Sequence, residues 1–374
     1  MNLLLYSAGL GYIQRGLETF TQELYEALYK QQDIQVTLFQ GKGTQQLDGA
    51  VPVWAPKRNS KLYEYLPFST LKPKSYRIEN LIFSIPIVTH CYTKPCHIIH
   101  FSETLPANIL YHLRKRLGGS YKLLFSNGGP TAPEHYQRYD YVQVLTPAQK
   151  QEALASGYPE DRLFLVPYGL DCQRFHQNWD QNQIWAQRRA RNLPIDRSVI
   201  LSVGAINASH KRMDWLVQEF AQLDPEQFFL WVVGQREEET AEIIALAAKL
   251  LKPGSYCFDT VPYAQMPEVY GISDYFVLCS LTEGFGRVYL EAMAAGLPVI
   301  AHKNINTEWI LESQNLGLVN MTIPRALGNC LMKFEAEPNL RVIQTQQNQK
   351  LAVTRFDWNS LVNQYLAMYQ KIYK

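Results

Sequence analysis

The stretch from residue 280 to residue 300 reads SLTEGFGRVYLEAMAAGLPVI and decides how the rest of the 374-residue chain is interpreted. It starts at the end of an apolar run and passes through a glycine-containing loop into an amphipathic helix. Gly-Leu-Pro then precedes a second apolar run. This order is typical of a parallel α/β layer. We expect the N–H groups of Gly286, Arg287 and Val288 at the N-terminus of the helix, which favours a phosphate.

Two carboxylates flank this expected anion site. Glu283 lies in the loop, and Glu291 follows eight positions later, two turns into the expected helix and on the same side. A carboxylate does not bind an anion, so the pair suits hydroxyl groups, such as those of a ribose and a sugar. The alternative is a pair of solvated carboxylates, which would leave the Gly-Phe-Gly loop unexplained.

The same alternation of strand and helix runs through both halves of the chain. In the first half, a helix is predicted over 17–30, and strands are predicted at 3–6, 36–39, 97–101, 121–125 and 141–145. Residues 172–197 are rich in Gln, Asn and Arg, which predicts a connection. The alternation restarts at Val199, with a helix from about Met213 and further strands at 228–233, 256–258, 275–279 and 297–301.

We therefore predict an α/β protein of two Rossmann-like, doubly wound parallel-sheet domains that face a central cleft. The N-terminal domain is expected over 1–171 together with a closing helix at 358–374. The C-terminal domain is expected over 172–357. Open parallel sheets bind ligands beyond the carboxyl ends of their strands, so the ligand is expected between the two domains.

Composition narrows the class of partner. Lys and Arg number 36 against 34 Asp and Glu, and this balance gives no overall attraction to nucleic acid. No apolar stretch reaches the ~18 residues of a membrane span, and the apolar start at 3–6 is shorter than that of a signal peptide. The six cysteines form no C-x-x-C, so a cytoplasmic protein without disulfides is expected.

The whole string from Glu283 to Ile300 resembles the E-x7-E signature of family 4 glycosyltransferases, which are retaining enzymes of the GT-B fold. The resemblance covers most of the chain. It includes Arg15-Gly16-Leu17-Glu18, Pro167-Tyr168-Gly169-Leu170-Asp171, Gly204 followed by Lys211, and Phe356-Asp357-Trp358.

This resemblance implies roles for individual residues. Lys211 should stabilise the charge of the departing diphosphate, Glu283 should position the transferred sugar, and Glu291 should hold the ribose hydroxyls. Main-chain groups at Val261 should meet the nucleobase, and Gly16 should let a loop of the first domain approach the diphosphate. The remaining residues expected to bind the donor are Arg212, Phe285, Gly286, Arg287 and Val288.

The chain departs from the family pattern in two places. Ala205 stands where an arginine often follows the first glycine of the C-terminal domain, and Arg212 could supply that missing charge. Many members also carry a sugar-facing histidine in the N-terminal domain, where this chain has Asn127. Asn127 or His100 could position the sugar. The alternatives are a turn residue for Asn127 and a hydrogen-bonded core histidine for His100.

A basic and aromatic segment at 57–94 suggests contact with anionic lipid or a lipid-linked acceptor, although a solvated, variable segment is the simpler interpretation. Arg114, Lys115 and Arg116 could extend this surface. The segment contains Lys57, Arg58, Lys61, Tyr63, Tyr65, Phe68, Lys72, Lys74, Tyr76, Arg77, Phe83 and Lys94, with only Glu64 and Glu79 as acids.

The predicted activity is that of a retaining hexosyltransferase of the EC 2.4.1 type. It would move glucose from UDP-glucose to a sugar hydroxyl of a growing polysaccharide or lipid-linked glycan, in the cytoplasm or on the inner face of a membrane. The chain has no Asp-x-Asp and no H-x3-H, so neither a metal nor another cofactor is expected. GDP-mannose and UDP-N-acetylglucosamine remain alternative donors. A silent sugar-nucleotide-binding protein, an epimerase and a phosphorylase remain alternative classes.

Overall fold

A computed structural model describes residues 1–13, 16–58, 60, 72–129 and 131–374, with the backbone alone for 72–74. Arg15 lies outside the described residues. So do Lys61, Tyr63, Glu64, Tyr65 and Phe68 of the basic and aromatic segment, and the side chains of Lys72 and Lys74.

The described chain divides into two compact units. The first comprises Met1–Gly169 together with Leu361–Lys374, and the second comprises Leu170–Ser360. These boundaries lie within a few residues of those expected from the sequence, at 171 and 358.

The described part of the first unit is built on a parallel sheet of seven strands in the order β3-β2-β1-β4-β5-β6-β7. β1, β4 and β5 are almost wholly buried, as expected of parallel strands covered on both faces. The strands are β1 Asn2–Ser7, β2 Gln35–Gly41, β3 Val51–Val53, β4 Ile98–Phe101, β5 Lys122–Asn127, β6 Tyr141–Val144 and β7 Leu163–Leu165. The helices are α1 Gly16–Tyr29, α2 Lys72–Thr93, α3 Thr104–Leu117 and α4 Pro147–Ala155.

The described part of the second unit repeats this plan with six parallel strands in the order β10-β9-β8-β11-β12-β13. The strands are β8 Ser198–Val203, β9 Phe228–Val233, β10 Tyr256–Asp259, β11 Tyr275–Leu278, β12 Val299–His302 and β13 Leu318–Val319. The strand order reverses between β8 and β11. The carboxyl edge beside such a reversal is where open α/β sheets bind their ligands.

The polar segment 172–197 is not a plain connection, and this part of the prediction is wrong. It contains two of the helices of the second unit, and Asp180 and Gln183 close a reciprocal capping box at the start of the longer one. The helices are α5 Cys172–Phe175, α6 Gln181–Ala190, α7 Met213–Phe220, α8 Thr240–Leu250, α9 Met266–Gly271, α10 Arg287–Ala294, α11 Ile305–Leu311, α12 Ala326–Ala336 and α13 Pro338–Arg355.

The last helix, α14 Trp358–Tyr373, joins the first unit from Leu361 onward. The Tyr365 hydroxyl donates to the carbonyl of Pro167 at 2.9 Å, and Lys122 Nζ donates to the carbonyl of Ile372 at 2.5 Å. The C-terminal segment is therefore anchored to the sheet that the N-terminal half of the chain forms.

Candidate active site

Lys211 and Glu283 meet at the carboxyl edge of the second sheet. Lys211 lies in the loop after β8, and Glu283 lies in the loop after β11, on the two sides of the strand reversal. Lys211 Nζ donates to Glu283 Oε1 at 2.6 Å, and the two side chains are only 14% and 10% exposed. The structure thus brings together the two residues to which the sequence assigns the reaction.

The loop that carries Lys211 is fixed by its own residues. Asn207 Oδ1 accepts from the N–H of Lys211 at 2.8 Å and from that of His210 at 3.2 Å. A Cβ at Gly204 would lie 3.1 Å from Lys211 Cε, so the aliphatic part of the lysine packs against the bare backbone of this glycine. These contacts direct the ammonium group toward Glu283.

Helix α10 begins immediately after the glycine loop. Gly286 is its N-cap with φ +77°, a conformation that favours glycine, and a Cβ there would lie 2.6 Å from the ring of Tyr289. The helix begins at Arg287, so Glu291 lies one turn inside it rather than two, and Glu283 precedes it. Phe285 and Arg287 are buried and Val288 is half-buried, so these residues shape the loop from within.

Glu291 is buried, with an exposed fraction of 4%. Its Oε2 accepts from the Tyr270 hydroxyl at 2.8 Å, and its Oε1 accepts from the Tyr263 hydroxyl at 3.3 Å. Burial and the nearby carboxylate raise the pKa of Tyr270 well above its ordinary value, so this hydroxyl stays protonated and continues to donate. The sequence did not predict these tyrosines as partners of Glu291.

Val261 follows β10 at the same edge of the sheet and is half-buried. The preceding Thr260 donates through Oγ1 to the carbonyl of Gly234 at 2.8 Å, which links the loops after β10 and β9. A Cβ at Gly234 would lie 1.6 Å from the carbonyl oxygen of Gly204. The loops after β8, β9 and β10 are therefore closely packed, and only a glycine fits at 234.

Arg212 contacts main-chain groups at the same carboxyl edge of the second sheet. Its Nη1 donates to the carbonyl of Met321 at 2.9 Å, and its guanidinium group stacks on Trp215 at 4.6 Å from the ring centroid. The residue itself adopts φ +51° as the N-cap of α7. Arg212 therefore stabilises the fold around the loop, and its suggested role toward a diphosphate stays a prediction.

His100 lies in the core of the first unit, as the structural alternative predicts. Its Nδ1 lies 2.7 Å from the Tyr369 hydroxyl, and its Nε2 lies 2.8 Å from Oε1 of Gln143. Gln143 in turn donates to the Tyr365 hydroxyl at 2.8 Å. Burial lowers the pKa of His100 to about 3. His100 thus connects α14 to the sheet and has no ring nitrogen left for a sugar.

This burial predicts a pH dependence of stability. Below pH 6.5 the unfolded chain protonates His100, whereas the folded chain does so only near pH 3, so stability falls as pH falls through this window. His100→Gln should flatten the dependence of the free energy of unfolding by up to about 1.4 kcal/mol per pH unit. Urea titrations of both proteins between pH 4 and 7 measure this difference. Parallel curves would contradict it.

Asn127 ends β5 and is 3% exposed. Its Nδ2 donates to the Tyr136 hydroxyl at 2.5 Å, while Oδ1 has no hydrogen-bond partner among the described residues. Gly16 begins α1, and a Cβ there would meet no described atom within 4 Å. No described contact therefore requires glycine at position 16, and the suggested roles of both residues toward a ligand stay predictions.

The structure also shows an ionic cluster in the first unit that the sequence did not predict. Arg58 Nε donates to Glu79 at 2.5 Å, and Arg58 Nη2 donates to Glu103 at 3.1 Å. Glu103 also accepts from the N–H of Ala8 at 2.7 Å. Burial raises the pKa of Glu103 to about 7, although Ala8 and Arg58 oppose this shift. The one available signal was the position of Glu103, two residues after the predicted strand at 97–101.

The described residues show neither a metal-binding cluster nor a helix that could span a membrane. Across the residues that the structure describes, no group of three or more His, Cys, Asp or Glu side chains could hold a metal ion. In the same residues, no helix combines the length and the apolar character needed to span a bilayer.

Sequence comparisons place the second unit in a known group. Residues 197–334 match the family model described as Glycosyl transferases group 1. The mannosylfructose-phosphate synthase of Agrobacterium fabrum is 29% identical over 178 residues, which cover 44% of this chain and 38% of that protein. The D-inositol 3-phosphate glycosyltransferase of Xylanimonas cellulosilytica is 29% identical over 57% of this chain and 52% of that protein. The matched region thus spans about half or less of these relatives.

The fold is that of GT-B proteins. The HepE protein of Anabaena, solved in complex with UDP and glucose, superimposes with a TM-score of 0.78 at 16% identity over 99% of both chains. The two parallel-sheet units therefore define a GT-B protein. Residues 197–334 are similar to group 1 glycosyl transferases, which supports the resemblance of the motif from Glu283 to Ile300 to the family 4 glycosyltransferases.

Proposed function

We propose that the protein is a retaining glycosyltransferase that moves glucose from UDP-glucose to a sugar hydroxyl of a growing polysaccharide or lipid-linked glycan. The observation that carries the proposal is the 2.6 Å contact between Lys211 and Glu283 at the carboxyl edge of the second sheet. Glu291 lies one turn inside the helix that starts beside this contact. The second unit would bind the donor, and the first unit would bind the acceptor.

The proposed reaction is a substitution on one face of the sugar. The bond between the anomeric carbon and the diphosphate oxygen breaks, and a bond to the acceptor oxygen forms. The acceptor proton passes to the departing diphosphate. Lys211 would exchange its contact with Glu283 for the diphosphate and stabilise the charge that develops there. Glu283, released from the lysine, would position the sugar, and Glu291 would hold the ribose.

Glucose and UDP are proposed because the structurally similar HepE protein was solved with UDP and glucose. The reaction class draws further support from the group 1 match over residues 197–334. GDP-mannose and UDP-N-acetylglucosamine would use the same lysine and carboxylates, since these groups contact diphosphate, ribose and sugar rather than the base. We also propose that the reaction requires no metal ion.

The direct test is to incubate the protein with each of the three sugar nucleotides and a mixture of sugar acceptors, with and without EDTA. UDP released from UDP-glucose, undiminished by EDTA, together with a product of unchanged anomeric configuration, would support the proposal. Release of GDP from GDP-mannose, without release of UDP from the other two, would instead identify GDP-mannose as the donor. Binding without any turnover would instead identify a silent sugar-nucleotide-binding protein, and an inverted product would contradict the retaining mechanism.

Glu283 and Glu291 should have separable effects. Glu291→Gln should weaken UDP binding about tenfold or more, because a charge-assisted contact to ribose contributes roughly 1.5–3 kcal/mol. Glu283→Gln should mainly lower kcat and leave UDP affinity within about threefold of wild type. Calorimetry and initial rates measure both quantities. Glu226→Gln, at an exposed ion pair with Lys252, is the matched control. Negligible effects of both substitutions would contradict the assigned roles.

We propose in addition that the surface formed by α2 and α3 contacts anionic lipid. From residue 72 to residue 117 the only acids are Glu79 and Glu103, and both are buried. Exposed Leu81, Ile85 and Tyr92 share one face of α2. Tyr92 donates to the carbonyl of Gly118 just beyond α3, where Leu117 is 70% exposed. The surrounding exposed cations are Arg77, Lys94, Lys115 and Arg116.

An apolar strip among cations, with no exposed acid between residues 72 and 117, is suited to the cytoplasmic face of a membrane. The double variant Leu81→Glu/Ile85→Glu should lose most of its binding to phosphatidylcholine vesicles that contain about one third phosphatidylglycerol. Co-sedimentation measures the bound fraction. Val342→Glu/Val353→Glu, on the exposed face of α13, is the control. Equal binding of the two double variants to the vesicles would contradict the proposed role of this surface. Wild-type binding to vesicles without phosphatidylglycerol would contradict it as well.

A further inference from the structure

The proposed reaction leaves a charge requirement that Lys211 alone does not meet. A departing nucleoside diphosphate carries at least two negative charges, and a lysine neutralises one of them. Ala205 has no charge, and the Arg212 guanidinium is bonded to main-chain carbonyls and stacked on Trp215. A second cation beside Lys211 would meet this requirement.

His210 is the side chain that the structure places beside Lys211. Its Nε2 lies 4.0 Å from Oε2 of Glu283, while Lys211 Nζ lies 2.6 Å from Oε1 of the same carboxylate. The two side chains therefore approach opposite oxygens of Glu283. The imidazole is 53% exposed, so a ligand at the sheet edge can reach it.

The backbone of His210 is fixed by the same turn that fixes Lys211. Asn207 Oδ1 accepts from both N–H groups. Arg236 pairs with Ile206 of the same loop through a main-chain bridge, and two glutamates from the segment before α8 also bond to the loop. Glu237 accepts from Asn207 Nδ2 at 2.7 Å, and Glu239 accepts from the N–H groups of Ala208 and Ser209 at 2.8 and 2.9 Å.

We propose that His210, in its imidazolium form, is a second catalytic cation that stabilises the departing diphosphate together with Lys211. This inference rests on the proposed function. Donor binding would place phosphate oxygens where the Glu283 carboxylate now lies, within reach of both cations.

The test compares His210→Gln, which cannot carry a charge, with His210→Lys, which always does. His210→Gln should lower kcat/KM for the donor and the affinity for UDP at least about tenfold at pH 6.5, in line with the loss of one charge-assisted contact. His210→Lys should stay within about threefold of wild type in both quantities, because it keeps a positive charge at this position. His112→Gln, at an exposed site on α3, is the control.

The outcomes separate this inference from the proposed function. If wild type releases UDP but His210→Gln matches it, the second-cation role is overturned and the function stands. The role is also overturned if His210→Lys lowers kcat/KM and UDP affinity as much as His210→Gln does. The loss of the imidazole shape, rather than of its charge, would then explain both results. If wild type binds UDP without turnover, UDP affinity of the same variants decides the role. If wild type binds no nucleotide, the function and this inference both fail.

Discussion

Replacing Lys211 by alanine is expected to lower kcat by about 10²–10³-fold, with folding intact. The side chain is the closest cation to Glu283, and in the proposed reaction it meets charge that develops only as the diphosphate leaves. Removing one preorganised group of this kind costs ~3–4 kcal/mol of transition-state stabilisation. Initial rates at saturating donor measure the decrease in kcat. Calorimetry with UDP measures whether Lys211 also contributes to nucleotide binding in the ground state.

Lys252→Ala is the matched control for this substitution. Lys252 also pairs with a glutamate, Glu226, but both partners are largely exposed and precede β10 in the chain. The control should retain wild-type kcat. A Lys211→Ala rate within twofold of wild type would remove Lys211 from the mechanism, and with it the interpretation of the contact between Lys211 and Glu283.

Replacing Arg58 by methionine is expected to destabilise the first unit by about 3–5 kcal/mol, the cost of leaving buried charges without their partner. Glu79 and Glu103 are 1% and 7% exposed, and Arg58 donates to both. Tyr12 also donates its hydroxyl to Glu79, so the loops after β1 and β3 meet at this cluster. Urea denaturation, followed by a probe placed in the first unit, measures the loss.

A triple variant separates loss of charge balance from loss of packing. Arg58→Met/Glu79→Gln/Glu103→Gln removes all three charges, so most of the lost stability should return. Arg77→Met, on the exposed side of α2, is the control and should remain within about 0.5 kcal/mol of wild type. A triple variant no more stable than Arg58→Met would contradict the electrostatic explanation.

The fold could be predicted wherever hydrophobic pattern and glycine loops coincide. The predicted strands at 3–6, 97–101 and 228–233 are confirmed as β1, β4 and β9. The short strands β3, β7 and β13 contain two or three residues, too few to show a period. Helix α6 was missed because it is mostly polar, and its one deeply buried side chain, Arg188, is bonded to Asp274 and to the carbonyl of Ile272.

The candidate site could be predicted only where one motif carries it. Glu283, Gly286 and Glu291 stand in a continuous string, so their spacing was visible in the sequence. The tyrosines that bond Glu291 come from a separate segment, and neither is close enough in sequence to be paired with it. Arg212 was assigned by charge alone, and only tertiary structure shows that its Nη1 donates to the main-chain carbonyls of Met321 and Cys279.

In the proposed function, the carboxyl edge of the second sheet binds a nucleoside diphosphate sugar. Calorimetric titration of the intact chain with UDP, GDP and ADP, without added metal, tests it most directly. We expect saturable binding of UDP at one site, stronger than that of GDP or ADP, and weakened by Glu291→Gln. Absence of binding by all three nucleotides, or UDP binding that Glu291→Gln and Lys211→Ala leave unchanged, would contradict it.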